Sequence, residues 1–223
     1  MEIEMEMESG LNRFEKIFYI NLSYRTDRNA LILNQLKKLG VKEDKIHRIE
    51  AIHDVLNGHR GCAQSHITAL KLALEMQLKE VLILEDDAFF LTNQEELELY
   101  IGYFLHKVPE YDILLLGGRI KESEPIGIDR IFRAKSSRRA HAYVIKSHYI
   151  PKLLSLFEKC HKKLTGIPFA KLTPNEIIID VAWDELFQKD RVFFAKIFAH
   201  QRGGYSDIQH IQYDHIDEIE EDN

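Results

Sequence analysis

Cysteine is scarce in this chain: two residues among 223, Cys62 and Cys160, far apart in sequence. That excludes a disulfide-built scaffold and points to an intracellular setting. Proline occurs five times and tryptophan once, so no Pro-rich linker divides the chain. No apolar run approaches the ~18 residues of a membrane-spanning helix, and the first residues offer neither a basic leader nor an apolar signal core. The expectation is a cytoplasmic protein with no integral membrane span. An excess of base is also missing, with 30 Lys+Arg against 36 Asp+Glu and a formal charge of -6. That balance argues against a nucleic-acid partner, which selects a basic surface.

The acid is unevenly spread. Glu2, Glu4, Glu6 and Glu8 stand without a base among residues 1–9, and six acids stand without one among residues 214–223. Residues 10–213 therefore carry 30 bases against 26 acids, a net charge of +4. Like charges in a row repel and favour solvated tails. The expected organisation is an acidic N-terminal tail over 1–12, one domain over 13–210 and an acidic C-terminal tail over 211–223.

Within that body, short apolar runs alternate with amphipathic segments. Residues 16–22 (KIFYINL), 80–84 and 112–116 read as buried strands, with another at 46–52, a strand pair at 130–134 and 141–146, and a last strand at 191–200. Helices are expected over 25–39, 61–78, 92–108 and 148–163. Gly40 suits the stop of the first. Thr92 with Glu95 suggests a capping box for the third, and Ser147 suggests a cap for the fourth. Long crossovers between strands imply an α/β fold, with a mostly parallel central sheet flanked by helices. Such sheets bind ligands beyond the carboxyl ends of their strands.

One strand end stands out. Glu85-Asp86-Asp87 interrupts an apolar run between Val81–Leu84 and Ala88–Leu91. Buried carboxylates need protonation, basic partners or a cation, and hard oxygen ligands suit Mg²⁺ or Mn²⁺. An acidic turn that caps the next helix explains the triplet equally well. Cys62 and His66 are four apart, a spacing compatible with zinc, but no second pair completes four ligands, which favours helix packing. Gly117-Gly118-Arg119 fits either a close backbone approach to a sugar or an ordinary turn. Trp183 fits either a sugar platform or a core anchor. Five bases between 130 and 139 read as a solvated hairpin or as a lip that attracts an anionic substrate.

At the triplet the chain resembles glycosyltransferase family 25, which includes bacterial lipopolysaccharide glycosyltransferases and procollagen galactosyltransferases. The likeness is carried by Tyr19-Ile20-Asn21-Leu22 with Arg25, Asp27 and Arg28, by Gly61-Cys62-Ala63-Gln64-Ser65-His66, by Leu82-Ile83-Leu84-Glu85-Asp86-Asp87, and by Ala140-His141-Ala142-Tyr143-Val144-Ile145. A weaker echo runs over 201–208. The resemblance implies a GT-A-like nucleotide-sugar fold and inverting, metal-dependent transfer of galactose or glucose from a UDP-sugar donor to a glycan or glycoprotein acceptor, as in lipopolysaccharide biosynthesis.

On that resemblance Asp87 is the expected direct ligand of Mn²⁺ or Mg²⁺, with Glu85 at the metal or the ribose and His200, Asp207 or His210 completing the shell. Asn21, Leu22, Arg25, Arg28, Ser65, His66, Glu85, Asp86 and Gly118 are the expected nucleotide-sugar contacts. An inverting transferase needs a base for the acceptor hydroxyl; Asp184 matches the family pattern better than Asp180, although the family's proline is missing before it. The competing readings are a metal-dependent phosphohydrolase and a non-catalytic relative that binds a glycan or a partner.

Overall fold

The computed structural model describes residues 10–172 and 177–213, and the two acidic stretches at 1–9 and 214–223 lie outside them. Gly10–Arg13 forms a 3₁₀ turn whose Leu11 is buried. In chain order the elements that follow are β1 (Lys16–Asn21), α1 (Thr26–Lys38), β2 (Ile46–Glu50), α2 (Gly58–Glu75), β3 (Glu80–Glu85), β4 (Ala88–Phe90), α3 (Gln94–Lys107) and β5 (Ile113–Leu115). Next come β6 (Arg119–Pro125), β7 (Phe132–Arg138), β8 (Ala142–Lys146), α4 (Ile150–Leu164), α5 (Ile179–Ala182), α6 (Asp184–Phe187), β9 (Val192–Phe194), β10 (Ala199–Gln201), β11 (Gly204–Ser206) and β12 (Ile211–Tyr213).

Eight strands form one sheet in the order β2-β1-β3-β8-β5-β9-β7-β6. Its alternating side chains make two cores, as the two-residue period of a strand requires. Phe18, Ile20, Val81 and Ile83 face the layer of α2 and α4, where Ile67, Leu70, Leu153 and Phe157 are buried. Ile17, Tyr19, Leu82 and Leu84 face the opposite layer, with Ile32 and Leu36 of α1 and Leu97, Ile101 and Phe104 of α3. The sheet is thus covered on both faces, which explains why β1 and β3 read as continuous apolar runs.

The expected α/β architecture with a helix-flanked central sheet is present, but the sheet is mixed and not mostly parallel. Strands β1–β2, β1–β3 and β5–β9 pair in parallel, whereas β3–β8, β5–β8, β7–β9 and β6–β7 are antiparallel. The segments at 130–134 and 141–146 do not pair with each other: β7 lies between β6 and β9, and β8 between β3 and β5. The expected last strand divides into β9 and β10, the latter pairing with β4 outside the main sheet.

Two caps also differ from expectation. Asn93, not Thr92, caps α3, accepting from the Glu96 N–H at 2.9 Å. Ser147 does not cap α4, whose first turn accommodates Pro151. Among the described residues no helix is long and apolar enough to cross a membrane.

Candidate active site

The parallel strands β1, β2 and β3 run in one direction, so their carboxyl ends converge at one sheet edge. A cleft of about 360 Å³ opens there. Its walls come from Leu22 beyond β1, Ile52–Asp54 beyond β2, the first turns of α2, the Glu85–Asp87 corner, residues 138–140, the start of α5, and residues 201–209. Asn57 caps α2 from outside the cleft, its Oδ1 accepting from the Arg60 N–H. Gly58 admits the last wall: a Cβ there would fall 2.4 Å from the Ile208 Cα.

The acidic triplet divides its labour. Asp86 is held from behind, accepting from Asn21 Nδ2 at 2.7 Å and Arg28 Nη1 at 3.1 Å. Burial pushes its carboxyl above the ordinary value against those two partners. Glu85 Oε1 lies 3.1 Å from His66 Nε2 and 3.8 Å from Cys62 Sγ, while its Oε2 accepts from Gln201 Nε2 at 3.3 Å. Burial raises the Glu85 carboxyl, but the hydrogen bond from His66 and the positive charges around it outweigh that and hold the group low. Asp87 is different. Its Oδ1 is buried without a hydrogen-bond partner among the described residues, and burial, with Glu85 beside it, pushes its carboxyl up to about 7. Arg28 Nη1 stands 3.6 Å from its other oxygen, Oδ2.

A buried carboxylate oxygen with no partner, next to a second carboxylate, is the donor set that a hard divalent cation satisfies. The residues present therefore fit a metal held by Asp87 and Glu85. His200 is not brought to this cleft. It sits opposite Phe89 in the β10–β4 ladder, and the neighbouring Gln201 is the β10 side chain that reaches Glu85. Successive strand residues face opposite sides, so His200 is turned away. Asp207 lines the cleft but is clasped by Arg25 and by the Tyr24 hydroxyl; His210 stands beside Phe169 and Tyr205, outside the lining.

Among the other expected nucleotide contacts, Leu22, Arg28, Ser65 and His66 line the cleft together with Glu85 and Asp86. Ser65 spends its hydroxyl locally, donating to the Gly61 carbonyl and accepting from the Ile52 N–H. Asn21, Arg25 and Gly118 do not line it. Asn21 is buried and braces Asp86 and Arg48. Arg25 pairs with Asp27 and Asp207. Gly118 has a φ of 137° at the β5–β6 turn, where a Cβ would lie 2.8 Å from Ser137 Oγ, so the turn and its packing account for the glycine.

The two candidate bases separate clearly. Asp180 lines the cleft and accepts from the Arg139 N–H at 2.8 Å. Burial pushes its carboxyl up despite that N–H, and Glu85 adds to the rise. Asp184 lies outside the lining, tied to β7 by Ser136 Oγ at 2.7 Å, the Ser137 N–H at 3.1 Å and Arg138 Nη1 at 2.6 Å. Trp183 between them is a core anchor and not a sugar platform. It is fully buried, donates Nε1–H to the Ser137 carbonyl at 3.2 Å and packs on Phe187.

Several cleft residues were not expected from the sequence, Gln201, His59 and Arg202 among them. Gln201 carries no signal of its own beyond the weak echo around it. His59 packs on Phe169, with ring centroids 5.7 Å apart, and burial lowers its basicity. Arg202 lies over the Phe89 ring at 4.4 Å while its N–H donates to the Asp87 carbonyl at 2.8 Å. Of the basic run, Arg133 and Lys135 pair with Glu124 across the hairpin, and Arg138 and Arg139 reach the cleft.

Comparison with known proteins agrees with the motifs. The model of "Glycosyltransferase family 25 (LPS biosynthesis protein)" matches residues 41–173, more than half of the chain. A "Glycosyltransferase 25 family member" of Drosophila melanogaster is 26% identical over 210 residues, covering 82% of this chain and 33% of the relative. A protein of the same name from Drosophila pseudoobscura pseudoobscura is 27% identical over 198 residues, covering 76% and 30%. The chain thus spans about a third of the length of these curated relatives. Among solved structures, a UDP-glucose pyrophosphorylase complexed with UDP-glucose is similar at a TM-score of 0.49 and 8% identity, over 83% of this chain and 91% of that one. From the family match over 41–173 and the motif residues gathered at one cleft, the chain belongs to glycosyltransferase family 25, a family of transferases.

Proposed function

We propose that the cleft binds a UDP-sugar with Mn²⁺ or Mg²⁺ and transfers its hexose, galactose or glucose, with inversion to a hydroxyl of a glycan or glycoprotein acceptor, on a fold of the GT-A type. The observation that carries this reading is the buried Oδ1 of Asp87, without a hydrogen-bond partner among the described residues, beside Glu85 at the carboxyl end of β3. A cation held by Asp87 and Glu85 would act as a Lewis acid toward the charge that develops on the departing diphosphate.

The chain's own residues supply the rest. Arg28 and Asn21 fix Asp86 and so set the corner that aims Asp87 into the cleft. Arg28, Arg138, Arg139 and Arg202 give the cleft a positive field for an anionic donor. Asp180 is the proposed base. Its carboxylate takes the acceptor hydroxyl's proton as that oxygen attacks the anomeric carbon, while the sugar–phosphate bond breaks and UDP leaves. A carboxyl raised by burial is a stronger base than an exposed one, which suits the task.

The test is to incubate the protein with UDP-galactose and with UDP-glucose, with and without Mn²⁺, and measure UDP release. Metal-dependent release from one of the two is expected; release from neither, with or without metal, overturns the reading.

A further inference from the structure

The proposed reaction makes no use of Cys62 or of the imidazole that faces it. These groups share one oxygen of Glu85. His66 Nε2 is 3.1 Å from Oε1 and Cys62 Sγ is 3.8 Å from it. One ligand atom from each of the three lies within 4.8 Å of the others. Zinc bonds of about 2.0–2.3 Å put tetrahedral ligands roughly 3.3–3.8 Å apart, so small side-chain movements bring all three into range. Cys62 and His66 are four residues apart on α2 and therefore share one helix face. The imidazole is fully buried and braced on its far side, with the Tyr143 hydroxyl 3.0 Å from Nδ1. Metal-binding histidines characteristically have such a partner on the second nitrogen.

We propose that Cys62, His66 and Glu85 form a three-ligand site for a soft or borderline divalent cation of the Zn²⁺ class, distinct in chemistry from the hard-cation set of Asp87 and Glu85. A thiolate and an imidazole select Zn²⁺ over Mg²⁺ or Mn²⁺, and the fourth position faces the cleft. In the free protein the arrangement that satisfies both ring nitrogens has the Tyr143 hydroxyl donating to Nδ1 and Nε2–H donating to Glu85. Zn²⁺ entry moves the imidazole proton to Nδ1, where Tyr143 Oη accepts it, and sends the thiol proton to solvent. Three metal–ligand bonds replace one hydrogen bond and one S–H contact.

Because Glu85 belongs to both sets, Zn²⁺ bound here withdraws a carboxylate from the donor's metal. On the reading of the cleft as a UDP-sugar site, Zn²⁺ is therefore an antagonist of Mn²⁺-assisted donor binding. Zn²⁺ binding at Cys62, His66 and Glu85 stands apart from that reading.

Co²⁺, a spectroscopic stand-in for Zn²⁺, is the probe. Titrated into the full chain, it should give a thiolate-to-cobalt charge-transfer band in the near ultraviolet that one equivalent of Zn²⁺ removes and excess Mg²⁺ does not. Cys160→Ala should keep the band, and Cys62→Ser should lose it. In Cys62→Ser, Zn²⁺ affinity should fall by more than the roughly 10–100-fold that loss of an outer partner costs. Absence of the band in the unmodified protein overturns the proposal, whatever the variants do. A band that survives in a folded Cys62→Ser protein, as judged by circular dichroism, overturns it too. If the band appears and Mn²⁺ leaves UDP affinity unchanged, the transfer reading falls and the zinc site stands.

Discussion

Two aspartates at opposite ends of the sheet show how burial serves different purposes. Asp112, just before β5, has every oxygen occupied. Oδ1 accepts from His148 Nε2 at 2.8 Å and Arg191 Nη2 at 3.0 Å, and Oδ2 accepts from the Arg191 N–H at 2.8 Å. Burial raises its carboxyl, but Arg191 and His148 outweigh it and hold the group below the ordinary range. Asp87, just after β3, has a buried oxygen with no hydrogen-bond partner among the described residues and a carboxyl pushed up to about 7. Asp112 joins β5 to β9 and α4; its chemistry is complete inside the fold. Asp87 is left incomplete by the fold, and in a cleft that incompleteness is a capacity to bind.

If that contrast is right, removing a cleft carboxylate should affect chemistry, and removing a scaffold carboxylate should affect stability. The largest expected effect is at the proposed base. Asp180→Asn should lower UDP release from the preferred UDP-sugar by about 10²–10⁴-fold and leave UDP affinity nearly unchanged in calorimetry. Full turnover in that variant would remove Asp180 from the reaction. Asp112→Ala should instead cost about 2–3 kcal/mol of stability in urea denaturation, the scale of hydrogen bonds to charged groups, while turnover persists. Asp184→Asn belongs with it. Its three contacts on β7 predict a loss of roughly 1–2 kcal/mol with most of the turnover retained, and a variant that is stable but inactive would reverse the assignment of the two aspartates.

The smallest effect is in pH dependence. Asp112 has a folded pKa below its unfolded value of about 3.9, so its contribution is fully present above that value and is lost as pH falls through the folded one. Asp112→Asn should therefore flatten the acid limb of a plot of stability against pH, and an unchanged limb would show that Asp112 does not carry it.

The comparison also shows what could be read in advance. Strands β1 and β3 were legible because both faces of the sheet are covered, which makes their residues continuously apolar. The triplet was legible because charge interrupts such a run. Strand β6 (RIKESEP) was not, since it is an exposed edge strand with no apolar alternation. The choice between Asp180 and Asp184 was not legible either. Both lie in the first turns of short helices on either side of Trp183, and only the packing of Asp184 against Ser136 and Ser137 draws it out of the cleft. Gln201 and His200 are adjacent in sequence, and which of them reaches Glu85 is decided by the register of β10 on β4.

The most direct test of the central claim is calorimetry of UDP binding, with and without Mn²⁺, on the unmodified chain and on Asp87→Ala and Asp112→Ala. The account predicts that Mn²⁺ strengthens UDP binding in the unmodified chain and in Asp112→Ala. It predicts that Asp87→Ala loses this enhancement while remaining at least as stable to heat as the unmodified chain without metal. Metal-enhanced UDP binding that survives in Asp87→Ala, or that is absent from the unmodified chain, would contradict it.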